Sequence, residues 1–260
     1  VIEDIGDFFG QGLGEADELK DLVIQAILHY ERNRPRSLQK TIGPSEAGNP
    51  CARRLAMQMN EEDQINPDGD PLPSMIGTAM HAVMDPVMQE QNRLLEADGQ
   101  PKRWLTEHRI EWPIPGTSDL FDLHKGRVID WKFPGASRFR HYKANGASLV
   151  YKRQLKIYGL GMENAGFQVN STALVFIPRS GRLMDTFVEL ADYDHDEAME
   201  VWKRFDNIRK VNEALDTKHH PERYRHIPAV ASDDCMFCPF WTPNPQGNTE
   251  CCGNLGDPNS

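Results

Sequence analysis

Asp119 closes the run Gly116-Thr117-Ser118-Asp119, and Val128-Ile129-Asp130-Trp131-Lys132 follows a short turn later. Two carboxylates and a lysine on adjacent strands suit one kind of chemistry. Carboxylate oxygens are the donors that Mg²⁺ and Mn²⁺ prefer. Phosphodiester hydrolysis needs a placed water and a counter-charge for the extra negative charge of the transition state. Residues 130 and 132 are two apart, so on a strand both side chains share a face. Lys132 would then lean toward the attacking water or the scissile phosphate, with the carbonyl of Trp131 free as a further ligand. The plainer alternative is that Asp130 and Lys132 form a surface ion pair on an edge strand. Val128 and Ile129, which point both ways into apolar surroundings, weigh against it. Metal-dependent cleavage of nucleic acid is the first expectation.

The elements that must hold these groups are legible in the periodicity. Leu19 to Tyr30 is predicted as an amphipathic helix, and 41–75 as mostly loop with a short helix at Ala52–Met59. Ile76 to Leu95 has a helical pattern with a kink or break expected near Asp85, ahead of Pro86. The period then changes to two: residues 108–112, 118–123 and 127–132 are predicted as three strands joined by short turns. A helix over Leu149–Met162, strands over Thr172–Ile177 and Leu183–Leu190, and a helix capped by Asp194 and running to Leu215 complete the order. The expected fold class is α/β, a central mixed sheet flanked by helices. The chain is expected to be one domain: 1–75 as an N-terminal helical and loop region, 76–190 as the core, and 191–260 as a helix and cysteine-rich tail.

The formal net charge of the 260 residues is -10, which argues against polyanion binding by the whole surface. Locally the sign reverses. Between Lys125 and Lys156 there are nine Lys or Arg residues against one acid, Asp130. Arg138, Arg140, Lys143, Lys152, Arg153 and Lys156 are therefore expected to follow a phosphate backbone beside the site. No apolar run is long enough for a membrane span, and a cytoplasmic location is expected. Glu107 and Asp122 are further acidic candidates; Asp122 is three from Asp119, on the opposite face of a strand, and so the weaker ligand. The five cysteines are Cys51, Cys235, Cys238, Cys251 and Cys252. Cys235-Met236-Phe237-Cys238 is a C-x-x-C clamp, and with Cys51 and one of the last pair the count reaches four. Zn²⁺, an iron–sulfur cluster and disulfides all remain open on composition.

The run Gly116-x-x-Asp119 followed by Asp130-x-Lys132 resembles the core of the PD-(D/E)xK nuclease superfamily. Gly77-Thr78-Ala79-Met80-His81 and Gln154-Leu155-Lys156-Ile157-Tyr158 resemble the G-x-x-x-H and Q-x-x-x-Y motifs of its RecB-like branch. The resemblance implies a restriction-endonuclease-like sheet and Mg²⁺- or Mn²⁺-dependent DNA cleavage. His81, Asp119 and Asp130 would be ligands, Lys132 would serve the catalytic step, and the helix bearing Gln154 and Tyr158 would lie over the bound strand. Read without the resemblance, His81 is a packed histidine, and Gln154 and Tyr158 a hydrogen-bonded pair four apart on one helix. Cys51-Ala52-Arg53-Arg54-Leu55 and Cys238-Pro239-Phe240 are similar to the cysteine motifs of the iron–sulfur members, the CRISPR-associated adaptation nuclease and the AddB nuclease domain. That implies a [4Fe-4S] cluster on Cys51, Cys235, Cys238 and Cys251, with Cys252 as the alternative fourth ligand and Zn²⁺ as the alternative metal. The departure is the gap 239–250 before a vicinal pair, longer than in the family. The expected function is a bacterial or phage exonuclease acting on single-stranded DNA or DNA ends, 5'-to-3' by family analogy. A structure-specific endonuclease and a noncatalytic DNA-binding scaffold are the alternatives. No phosphate loop of the helicase type is present, so unwinding would need a helicase or recombination partner, and a homo-oligomer is compatible with the family.

Overall fold

A computed structural model describes residues 4–33, 42–66 and 70–253, with side chains described for 14–33, 42–66, 70–232 and 235–253. The chain divides into two compact units, Val1–Lys40 and Thr41–Ser260. The first holds helix α1, Asp4–Arg32, which starts well before the predicted Leu19.

The second unit is built on a sheet of five strands in the order β1-β2-β3-β4-β5: Trp104–Ile110, Gly116–Asp122, Arg127–Lys132, Ser171–Phe176 and Phe187–Asp192. β1, β2 and β3 form an antiparallel meander, β3 and β4 pair in parallel, and β4 and β5 are antiparallel. A parallel pair needs a crossover, and two helices supply it, α5 (Ala136–Asn145) and α6 (Leu149–Asn164). The fold class is therefore the expected one, a mixed sheet flanked by helices. α5 was absent from the sequence expectation, in which its residues figured only as part of the basic strip. Its Phe139 and Tyr142 are buried at a spacing of three and dock the helix on the sheet.

The sheet is covered on both sides. Phe121, Val128, Leu174 and Phe176 pack with Leu155, Tyr158 and Met162 of α6. Leu120, Ile129, Trp131 and Ala173 alternate with them and pack against Met80, Met84 and Met88 of α4 (Leu72–Ala97). α4 runs unbroken through Pro86, where a kink or break was expected. A further core joins α3 (Ala52–Met59) to α7 (His195–Ala214) through Leu55, Met57, Phe205, Tyr224 and Phe240. Between Ile42 and Leu72, a four-residue helix α2 (Pro44–Ala47) precedes α3. The cap expected at Asp194 is present: its carboxylate accepts the Glu197 N–H at 2.9 Å. Residues 41 and 67–69 of the predicted loop lie outside the described residues. Among the described residues no helix is long and apolar enough to cross a membrane.

Candidate active site

Three strands and two helices place the candidate groups. β1 and β2 pair Thr106 with Leu120 and His108 with Ser118, so Glu107 stands level with Asp119. β2 and β3 pair only as far as Leu120 with Ile129, which leaves Asp119 level with Asp130 just past the end of the ladder. There the strands part, and the Trp131 N–H donates to Asp119 Oδ2 at 2.9 Å instead of to a strand carbonyl. The second distortion is at Glu107, whose φ of 45° lies in the left-handed region. A non-glycine residue held there inside a strand costs about 1–3 kcal/mol. It also explains a break in alternation: Leu105 and Ile110 pack on the same cluster although they are five apart.

α4 brings His81 to this row. Its Nδ1 lies 3.4 Å from Asp119 Oδ1, and its ring stands edge-on to Phe133. One ligand atom each from His81, Glu107 and Asp119 fall within 4.8 Å of one another, and no other such trio of His, Cys, Asp or Glu occurs among the described residues. Glu107, expected only as an alternative ligand, is thus a member of the cluster. The signal for it was its register with Asp119, which the predicted strand start at residue 108 concealed.

α6 lies on Asp130 and Lys132. Gln154 Nε2 donates to Asp130 Oδ1 at 3.0 Å, its Oε1 accepts from Lys132 Nζ at 3.1 Å, and Tyr158 OH is 3.4 Å from its amide. The one amide therefore orients both charged groups. Asp130 is 1% exposed, so its environment decides its protonation. Burial pushes its carboxyl up, the Lys132 ammonium opposes, the Asp119 charge raises it again, and the result is about 6. Lys132 Nζ stands 2.6 Å from Oδ2, so the buried carboxylate is ion-paired on that side. Lys132 also sits over the ring of Tyr151, 4.3 Å from its centroid. Burial would lower the His81 imidazolium, but its hydrogen bond to Asp119 and the charges of Asp119 and Asp130 outweigh that and raise it.

The donor chemistry fits a divalent cation. One imidazole and carboxylates gathered at a strand end suit Mn²⁺ or Mg²⁺. A cleft of about 580 Å³ opens beside these groups, bordered by His81, Lys132, Arg138, Tyr151 and Arg179. Arg179 is fixed there by the Phe133 and Pro73 carbonyls at 2.5 and 2.8 Å. Nothing in the sequence reading singled out Arg179 or Tyr151.

The basic run is divided by the fold. Arg138 borders the cleft, and Arg140 and Lys143 are exposed on α5. Lys152 pairs with Glu189 at 2.9 Å, Lys156 pairs with Glu197, and Arg153 donates to the Gly48 carbonyl at 3.0 Å. These three line a different cavity, of about 650 Å³, between α6, β5 and α7. Asp122 is a structural anchor: burial would raise its carboxyl, but Arg103, 2.7 Å away, and the His124 and Lys125 amides hold it below the ordinary range.

Four of the cysteines come together. Cys51, Cys235, Cys238 and Cys251 line one cavity of about 210 Å³, and Cys252 is not on its wall. All five are free thiols. The Arg54, Ser232 and Gly253 amides donate to the sulfurs of Cys51, Cys235 and Cys251 at 3.5, 3.3 and 3.3 Å. Burial pushes the Cys238 thiol up, and the Phe240 amide on its sulfur opposes this.

Two solved structures resemble this chain. One is a phage-related exonuclease from Haemophilus somnus 129PT, 13% identical, aligned over 65% of this chain and 82% of its own, with a TM-score of 0.41. The other is the alkaline exonuclease LHK-Exo from Laribacter hongkongensis, 12% identical, over 66% of this chain and 94% of its own, with a TM-score of 0.35. No family model and no curated protein matches the chain. Both likenesses are remote, and the roles of the residues rest on the geometry of the site.

Proposed function

We propose that this chain is a divalent-metal-dependent deoxyribonuclease that works from DNA ends. One observation carries the reading: Glu107 and Asp119, level with one another on neighbouring strands, meet the helix-borne imidazole of His81 at the wall of a basic cleft, with Asp130 level with Asp119 on the next strand. His81, Glu107, Asp119 and Asp130 would hold Mg²⁺ or Mn²⁺, with the Trp131 carbonyl as a further donor. The bound ion supplies Lewis acidity toward the phosphate and lowers the pKa of water. The chain does the rest. Gln154 fixes the Lys132 ammonium, which offers its charge to a non-bridging phosphate oxygen as negative charge grows there. Arg138 and Arg179 place the neighbouring phosphates, and Tyr158 fixes the far side of Gln154. Action on ends, the 5'-to-3' direction, an unwinding partner and an oligomer follow from the superfamily resemblance of the motifs.

The cysteines belong to the same proposal as a [4Fe-4S] site on Cys51, Cys235, Cys238 and Cys251. Their shared cavity and the amides aimed at their sulfurs support it. A single Zn²⁺ with Zn–S bonds of about 2.3 Å would bring sulfurs within about 3.8 Å of one another. Zn²⁺ on the same four sulfurs is the alternative occupant.

The test uses linear DNA labelled at either end beside a closed circle, with Mn²⁺, Mg²⁺ or EDTA. Metal-dependent loss of nucleotides from the linear DNA, abolished by Asp119→Ala and by Asp130→Ala, is expected. Cleavage in EDTA or by both variants overturns the nuclease reading; equal attack on the circle overturns action from ends.

A further inference from the structure

One cation on the wall of the cysteine cavity, Arg54, and two beside it, Arg53 and Arg204, have no acid to pair with among the described residues. Arg53 and Arg54 stand two and three residues after Cys51, and Arg54 lines the cavity. Arg204 reaches the same segment from α7, where its Nη2 donates to the Pro50 carbonyl at 2.7 Å. Arg53 donates to the Ile227 and Arg225 carbonyls at 3.0 and 3.3 Å. Among the described residues, none of these three guanidinium groups has a carboxylate within 4.0 Å. Arg54 Nε and Arg204 Nη1 are buried and lack any hydrogen-bond partner. Three uncompensated, half-buried cations are a costly arrangement. In a chain of net charge -10, with acids plentiful elsewhere, these three cations stand without one beside four thiols.

Four thiolates around a dication, or around a cluster core of the same charge, leave a centre with a net charge of -2. Burying that centre needs cations nearby, whereas neutral thiols or disulfides need none. We infer that Arg53, Arg54 and Arg204 form a counter-charge belt that holds a dianionic tetrathiolate metal centre in the cysteine cavity. The inference rests on the metal reading of the cysteines and adds the residues that compensate its charge.

The full chain, purified without oxygen, tests this by its metal and sulfide content and by the rate at which a chelator strips the metal. Arg54→Gln and Arg204→Gln should each release metal at least tenfold faster than the unaltered protein, while Arg54→Lys, which keeps the charge, stays within threefold. Circular dichroism establishes that each variant is folded. Should Arg54→Gln fail to fold, Arg204→Gln carries the test, since its side chain reaches the centre only through the Pro50 segment. Metal retained equally in both Gln variants overturns the belt and leaves the metal reading standing. Equal loss in Gln and Lys variants makes the arginines packing residues and also overturns it. Unaltered protein that holds no metal overturns both.

Discussion

Asp130→Asn, studied without metal, probes the candidate site through stability and not through activity. The Asp130 carboxyl rises from an ordinary 3.8 to about 6 because burial disfavours its charge, with Lys132 opposing and Asp119 adding to the rise. A carboxyl raised in the folded state binds more protons folded than unfolded. Its contribution to stability is therefore complete below about pH 3.8 and is lost as pH rises through about 6. At about 1.36 kcal/mol per pKa unit the whole span is worth about 3 kcal/mol, of which roughly half falls between pH 5 and 8. Asparagine cannot titrate, so that part of the pH dependence should vanish. The absolute stability of the variant also changes, because Lys132 loses its partner, but the difference between two pH values removes that constant. His81 keeps Asp119 in both proteins but loses the Asp130 charge that helps raise it in the variant, which adds to the difference in the same direction. The assay is thermal unfolding in EDTA at pH 5 and pH 8. Relative to Asp130→Asn, the unaltered protein should lose about 3–6 °C over this range. Adding Mn²⁺ should restore the loss in the unaltered protein and do nothing for the variant. Parallel curves for the two proteins in EDTA would show that Asp130 does not carry a buried-charge penalty, and would refute the reasoning.

Tyr151→Phe keeps the ring under Lys132 and should retain cleavage within about threefold, whereas Tyr151→Leu, by removing roughly 0.5–2 kcal/mol of cation–π attraction, should lower kcat more than KM; equal kinetics in the two variants would contradict this. Neutralising Lys152 and Lys156 should lower the melting temperature by a few degrees and leave the salt dependence of DNA binding unchanged, because both are spent on Glu189 and Glu197. Neutralising Arg138 and Arg179, measured by the same titration, should flatten that dependence by about two phosphate contacts. Gly161→Ala should destabilise the chain by about 1–3 kcal/mol in denaturant unfolding, since a new Cβ would stand 2.6–2.8 Å from the buried Ile110 side chain.

The elements that a single period describes were legible. β3 was predicted at 127–132 and is found there, and α3 was predicted at 52–59 and is found there. What escaped the sequence was set by contacts between elements. β1 begins at Trp104, four residues before the prediction, because the left-handed Glu107 breaks the two-residue alternation on which strand detection depends. That same break turns Glu107 toward His81 and Asp119, so the residue that obscured the strand belongs to the site. Lys152, Arg153 and Lys156, expected to follow a phosphate backbone, also have partners within the chain that the sequence does not show. Local charge counts cannot see acids brought in from β5 and α7, nor the Gly48 carbonyl from the N-terminal side.

Arg153 and Gln154 are consecutive on α6, about 100° apart around its axis, and reach different partners. Gln154 reaches Asp130 and Lys132, while Arg153 holds the Gly48 carbonyl three residues before Cys51. Gly48 lies so close to α6 that a Cβ there would meet the Val150 carbonyl at 2.8 Å and Arg153 Cβ at 2.9 Å. Gly48→Ala should therefore push the Cys51 segment off α6 without touching either set of candidate ligands. Its expected signature is faster loss of metal from the cysteine cavity together with a reduced kcat in metal-saturated DNA cleavage, because one helix is the floor of both sites. If metal retention falls while cleavage is unchanged in a folded Gly48→Ala protein, α6 is rigid enough to isolate the two sites, and the coupling argued from this close approach is wrong.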